Sequence, residues 1–209
     1  RANRRLVVNP TEAELVQRFQ ASHHVIREAL QMLEGEGLVV SNAYCGRSVF
    51  QASDAELEGL LLVRISLETA AASLASYKVT ADWARKLRER LILPPGGFRN
   101  FAELLDWDLN IHYLIWEIAG EPVLTEHLRR VICPFILQAN QKWLSTGKGL
   151  REQIEAHMRP SDPSNHTDLV EAICSRDAPL ARKQLIRHLT NRPVSRQCEA
   201  LVTVAFNGH

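Results

Sequence analysis

The chain is poor in several things that mark large protein classes. Aromatic residues make up only 6% of its 209 residues, and no apolar run approaches the length of a membrane span. No charged-then-apolar leader opens it. Its four cysteines (Cys45, Cys133, Cys174, Cys198) show no Cys-x-x-Cys spacing, so reduced thiols in a cytosol are the default. A cytoplasmic protein with no membrane partner is expected. Charge of one sign is missing too: the net charge is +1, and the first fifty residues hold six Arg against five Glu. Any contact with a polyanion would rest on local placement of charge, not on a basic field. Internal repeats and low-complexity tracts are absent. What remains, 45% hydrophobic residues, is enough for a real core and for two domains.

The most pointed stretch is residues 10–50. Pro10-Thr11-Glu12-Ala13-Glu14 opens a helix, with Thr11 and Glu14 spaced as a capping box and Leu15, Val16 and Phe19 on the apolar side. After the link Gln20-Ala21-Ser22, Ser22 caps a second helix. Its stripe Val25, Ile26, Ala29, Leu30 and Leu33 is expected to be buried, leaving His23, His24, Arg27 and Gln31 facing solvent. Gly35 and Gly37 stop that helix. Leu38–Val40 and Ser48–Phe50 are β-prone runs about a turn of residues 42–47, with Arg47 at the hairpin tip. Such a unit suits a helix in the major groove of DNA and a wing on the backbone or minor groove. An ordinary αα-hairpin has the same spacing.

The residues themselves go further than the spacing. PTEAELVQRFQASHHVIREALQMLEGEGLVV resembles the winged helix-turn-helix of the GntR family of bacterial transcription regulators. The shared tail Arg27-Glu28-Ala29-Leu30, Leu33-Glu34, Glu36-Gly37-Leu38-Val39 is too long to be accidental. The resemblance implies that Thr11, Ser22, Arg27 and Gly46 sit where the family touches DNA. Two positions depart from the pattern: His23 replaces the usual Arg after the serine, and Val25 a common Pro. A His there can still bond a phosphate or base, but the guanine-reading fork is missing. The family places a helix before this point, and residues 1–8 are too few to supply it. The head is therefore expected to lack its first helix, and the arginines among the first five residues suit a backbone-contacting arm.

From Asp54 the chain reads as nearly continuous helix. Segments are expected at 54–77, 80–93, 100–119, 121–145, 150–158, 165–175 and 178–190, with a further helix possible in the tail and a break at Pro94-Pro95-Gly96-Gly97. The fold class is mainly α: a DNA-reading head of residues 1–52 and an all-helical antiparallel bundle of residues 53–209.

Asp108 and His112 stand four apart on one helix and share a face. His166 and His188 are equidistant from Asp177, inside the turn Ser175-Arg176-Asp177-Ala178-Pro179, so a helical hairpin there sets them at one level. One carboxylate and three imidazoles converging form a ligand set suited to zinc, nickel, iron or manganese. An isolated helical His is more often a surface or satisfied core residue, and His127, His157 and the terminal His209 have that character.

Residues 54–190 also resemble the FCD effector domain of the FadR subfamily within the same family. The marks are Arg64-Ile65-Ser66-Leu67-Glu68, the Asp108 to His112 helix followed by Ala119-Gly120-Glu121-Pro122, and the run from His166 to Ala181 with His188-Leu189. The resemblance implies that Asp108, His112, His166 and His188 hold a divalent ion, zinc foremost, and that a small carboxylate effector completes its coordination. Arg64 is the candidate effector contact, because a guanidinium grips a carboxylate through two bonds. An ion pair with a nearby Glu is the alternative role. Trp107 and Trp116 share the helix, where tryptophan is more often core than pocket wall. The expectation is a homodimeric regulator on a near-palindromic double-stranded DNA operator, controlled by a small organic acid at a metal site. A metal enzyme using the same four residues, or a purely structural metal, are the competing readings, and no nucleophile motif favours the enzyme.

Overall fold

The computed structural model describes residues 10–42, 46–144 and 166–190. The helices expected at 150–158 and in the tail, the hairpin tip, the N-terminal arginines, His157 and His209 lie outside the described residues.

Helix α1 (Glu12–Phe19) begins with the expected box. Thr11 Oγ1 accepts the Glu14 N–H, and the Glu14 carboxylate accepts the Thr11 N–H at 2.7 Å. Ser22 Oγ accepts the Val25 N–H and starts α2 (His23–Gly35). That helix closes through two crossed bonds, Gly37 N–H to Glu34 and Leu38 N–H to Leu33, with Gly37 left-handed at φ 73°. Strands β1 (Val39–Asn42) and β2 (Gly46–Val49) then pair antiparallel, Val39 opposite Val49 and Ser41 opposite Arg47.

Two expectations for the head need correcting. The strands run further toward the tip than expected, because Asn42 still pairs with Gly46, and this puts Arg47 inside β2 rather than at the tip. Of the five residues expected to be buried on α2, only Ile26 is; Leu30 is half-buried, and Val25, Ala29 and Leu33 are exposed. Two short helices and a hairpin leave one side uncovered, and Leu30 and Leu33 line a groove there with Leu15, Val39 and Val49.

In the bundle, Ser53 and Glu56 repeat the capping box and start α3 (Asp54–Lys78). Thr80 caps α4 (Ala81–Arg90), and Asn100 caps α5 (Phe101–Ala119). Then come α6 (Pro122–Leu144), α7 (Thr167–Cys174) and α8 (Ala178–Thr190). Helix α3 is the axis, touching α5, α6, α7 and α8. Its Leu57, Leu61, Ile65 and Ala72 share one core with Ile111, Ile115, Leu128, Ile132, Val170 and Leu185.

Helix α3 corrects the expectation about apolar runs. By length and composition it is apolar enough to cross a membrane, with a window of mean hydropathy 1.3. Half of that window is buried inside the bundle, as a helix apolar on all sides is when it forms the centre of a domain. Its buried hydroxyls stay satisfied by turning back on their own helix: Thr69 bonds the Ile65 carbonyl at 2.7 Å and Ser76 that of Ala72 at 2.8 Å. Leu61→Ala at the middle of this axis is expected to cost about 2–5 kcal/mol of stability, measured by urea unfolding.

Candidate metal centre and nucleic-acid interface

Asp108 and His112 project from one face of α5 into the bundle. His166, which the sequence places inside a helix of residues 165–175, stands instead at the N-cap of α7, one residue before its first turn, and His188 lies in the last turn of α8. The Asp177 carboxylate accepts the Leu180 N–H and starts α8, which folds back along α7. The rings of His166 and His188 thus meet with centroids 4.2 Å apart. His112 Nε2 is 3.2 Å from Nε2 of both His188 and His166, and His166 Nε2 is 3.6 Å from Asp108 Oδ1. All four side chains are buried, and one ligand atom from each lies within 4.8 Å of all the others.

This donor set fits a divalent ion. Zinc–nitrogen bonds of about 2.0–2.1 Å place neighbouring ligands on a tetrahedron about 3.3 Å apart. The imidazole nitrogens already stand at that separation from His112.

Glu68, which the sequence reading assigned no role, completes the arrangement from α3. Its carboxylate contacts His112 Nδ1 with one oxygen and accepts Arg64 Nε–H at 2.6 Å with the other. Burial by itself would raise its pKa. The charges of His112 and Arg64, and the hydrogen bonds from both, outweigh burial and hold the carboxyl at about 2. Glu68 is therefore an ionised, acceptor-only group; in the neutral ring that a metal ligand requires, the proton His112 keeps is the one on Nδ1 facing Glu68, and the Nε2 lone pair faces the other ligands. The signals in the sequence were its place four after Arg64 and its membership of the run Arg64-Ile65-Ser66-Leu67-Glu68 that carries the family resemblance.

Arg64 is fully buried, so the ion pair weighed as its alternative role is present, made through Nε alone. Among the described residues Nη1 and Nη2 meet no acceptor, and the guanidinium lies over the Phe135 ring at 5.5 Å. Trp116 belongs to the core, whereas Trp107 stands edge-on to His166 at 5.6 Å.

The head presents a second candidate surface. His23, His24 and Arg27 are exposed at the start of α2, next to Ser22, and Thr11 is exposed at the start of α1. Gly46 is exposed at the start of β2. Glu12 gathers both arginines, with Arg27 Nε at 2.9 Å and Arg47 Nη1 at 3.1 Å, and Arg47 Nε also reaches Glu34 at 3.3 Å. His24 lies 3.4 Å from Glu28. The Arg27 guanidinium is well exposed and its pair is worth about 0–1 kcal/mol, so a phosphate can compete for it, whereas Arg47 is half-buried between its two carboxylates.

Residues 9–48 match the bacterial regulatory proteins of the gntR family, and residues 59–191 match the FCD domain. The chain is an FCD-domain regulator of the GntR family. Among solved structures, this regulator resembles McbR/YncC of E. coli, with a TM-score of 0.66 at 17% identity over 96% of this chain and 89% of that one. It also resembles a GntR-family transcriptional regulator of Pseudomonas syringae pv. tomato (TM-score 0.51, 20% identity, 96% and 80% covered). A third likeness is to Lar of Listeria monocytogenes, whose title says that it controls expression of the agr system (TM-score 0.53, 16% identity, 92% and 87% covered). No curated protein matches the regulator in sequence. At these identities the neighbours establish the fold: a winged helix-turn-helix head on a helical bundle. The family is one of regulators, so the metal-enzyme reading falls away.

The buried charges of this regulator make a sharp test. Glu68→Gln strips Arg64 of its counter-charge and is expected to cost about 3–5 kcal/mol in urea unfolding. Arg64→Met combined with Glu68→Leu should recover most of that loss. An equal loss in the double variant would mean that the cost lies in the lost contact of Glu68 with His112 on α5 and not in the stranded charge of Arg64.

Proposed function

We propose that this regulator is a cytoplasmic homodimer of the FadR subfamily, with a DNA-binding head of residues 1–52 and an effector-binding and dimerisation bundle of residues 53–209. Two heads engage successive major grooves of a near-palindromic operator. Thr11, Ser22, His23, His24, Arg27, Gly46 and Arg47 contact DNA. Asp108, His112, His166 and His188 hold a divalent ion, zinc by preference, with nickel, iron and manganese as alternatives. A small carboxylate effector binds the ion and the two outer nitrogens of Arg64. The observation that carries this reading is the convergence of four buried ligand side chains in a chain that also has a GntR head.

The ion supplies a positive centre that can coordinate an acid group. The chain's own residues supply the rest. Glu68 fixes the tautomer of His112 and holds Arg64, and the burial of the site removes competition from water. The Arg64 fork is supported as an effector contact by its lack of acceptors among the described residues, because a buried guanidinium leaves N–H groups unsatisfied only at a cost. The effector shifts DNA affinity by its differential affinity for two arrangements of the bundle. A purely structural metal remains the second reading, and it would leave Arg64 with no ligand to receive.

Two measurements check the proposal. His188→Ala should lower metal affinity by at least about tenfold, given that even outer-sphere changes cost 10–100-fold. Its head should stay folded. Unchanged metal content in this variant, measured by elemental analysis, would refute the four-ligand set. Selection of sheared genomic DNA by the protein, with and without a chelator, should recover a short near-palindrome whose affinity depends on metal. No enrichment at low salt would count against operator binding.

A further inference from the structure

The end of α2 meets α6 at a specific place. At Gly37 a Cβ would stand 3.1 Å from Cγ of Pro134 and 3.6 Å from the carbonyl oxygen of Arg130. Those two atoms share a cause. Pro134 lies inside α6 and has no N–H to offer the Arg130 carbonyl one turn back. The head therefore rests where the ladder of α6 lacks a rung. A side chain at position 37 would strain a left-handed backbone and also press on the proline ring.

The next residue on α6 belongs to the core of the bundle. Phe135 is buried, and the Arg64 guanidinium lies over its ring at 5.5 Å. Arg64 holds Glu68, and Glu68 holds His112. Contacts thus run without a gap from a candidate metal ligand, through Glu68, Arg64, Phe135 and Pro134, to the residue that closes α2. A helix missing a backbone bond is also the place where α6 bends most cheaply.

We infer that the Gly37–Pro134 contact is the joint through which the bundle site acts on the head, so that the signal travels along α6 rather than through the connection at Ser53. The inference rests on the metal reading proposed above. Were His112 Nε2 to hold a metal, its Nδ1–H would bind Glu68 more strongly, and Glu68 sets the position of Arg64. Phe135 moves with the guanidinium that covers it, and Pro134, its neighbour, moves against Gly37. No residue of the route is surface-exposed except at its last step, so packing transmits the displacement instead of absorbing it.

The test is backbone hydrogen exchange on the full chain, read by mass spectrometry with Zn2+ and after EDTA, in the parent and in Pro134→Ala. That variant restores a helical N–H and removes only the ring. In the parent, Zn2+ should slow exchange in α5, α7 and α8 and change exchange across residues 23–40 by about twofold to thirtyfold, the range of couplings carried by packed side chains. Pro134→Ala should keep the first response and lose the second. Gly35→Ala, at a helical position with nothing within 4 Å, should keep both. A head response that survives Pro134→Ala overturns the joint in favour of the Ser53 connection. A parent whose bundle responds while residues 23–40 do not overturns coupling altogether. No response anywhere refutes the metal reading, and this inference with it.

Discussion

Glu68 is the group on which the rest of the bundle site depends. Arg64 and three imidazoles are buried within a core of Leu, Ile, Val and Ala, where an unpaired charge costs several kcal/mol. One carboxylate answers two of them at once, and it does so across helices, from α3 to α5. That double duty sets the register between the two helices to within a hydrogen bond. It also explains why α3 can be apolar almost throughout and still be uniquely placed: its buried hydroxyls turn back on its own carbonyls, and Glu68 ties Arg64 Nε to His112, leaving the two outer nitrogens of Arg64 as its groups without an acceptor among the described residues. Hydrophobic burial brings the helices together; the polar groups decide how far each slides along the next.

Much of this was legible in local chemistry. Thr11 and Ser22 are caps in the sequence and caps in the structure, because an oxygen two or three residues before a free N–H needs no tertiary context to find it. The meeting of His166 with His188 was legible for a similar reason. A short turn around Asp177 leaves two helices little choice of register, so equal distances from the turn become equal heights. The regulator family was legible in the wording of residues 10–40 rather than in their spacing, which an ordinary αα-hairpin would share.

What stayed hidden depends on contacts distant in sequence. Glu68 meets His112 across 44 residues, and nothing local marks it as more than one half of a helical ion pair. The exposure of Val25, Ala29 and Leu33 was missed because periodicity says which face is apolar and not whether anything covers it. The position of Arg47 inside β2 was missed because hairpin strands lengthen by pairing polar residues that no β-propensity singles out. The apolarity of α3 went unnoticed because its charges are spaced widely enough to break every continuous run yet still leave a long window of high hydropathy.

The contact of Gly37 with Pro134 has a consequence for how such proteins diversify. At this contact the head offers no side chain, since Gly37 meets Pro134 with a bare backbone at the foot of α2. The exposed residues at the other end of that helix, His23 and His24 among them, can then vary without touching this contact. Head sequences that differ there and keep the glycine meet α6 in the same way, so the start of α2 and its seat on the bundle are free to change independently.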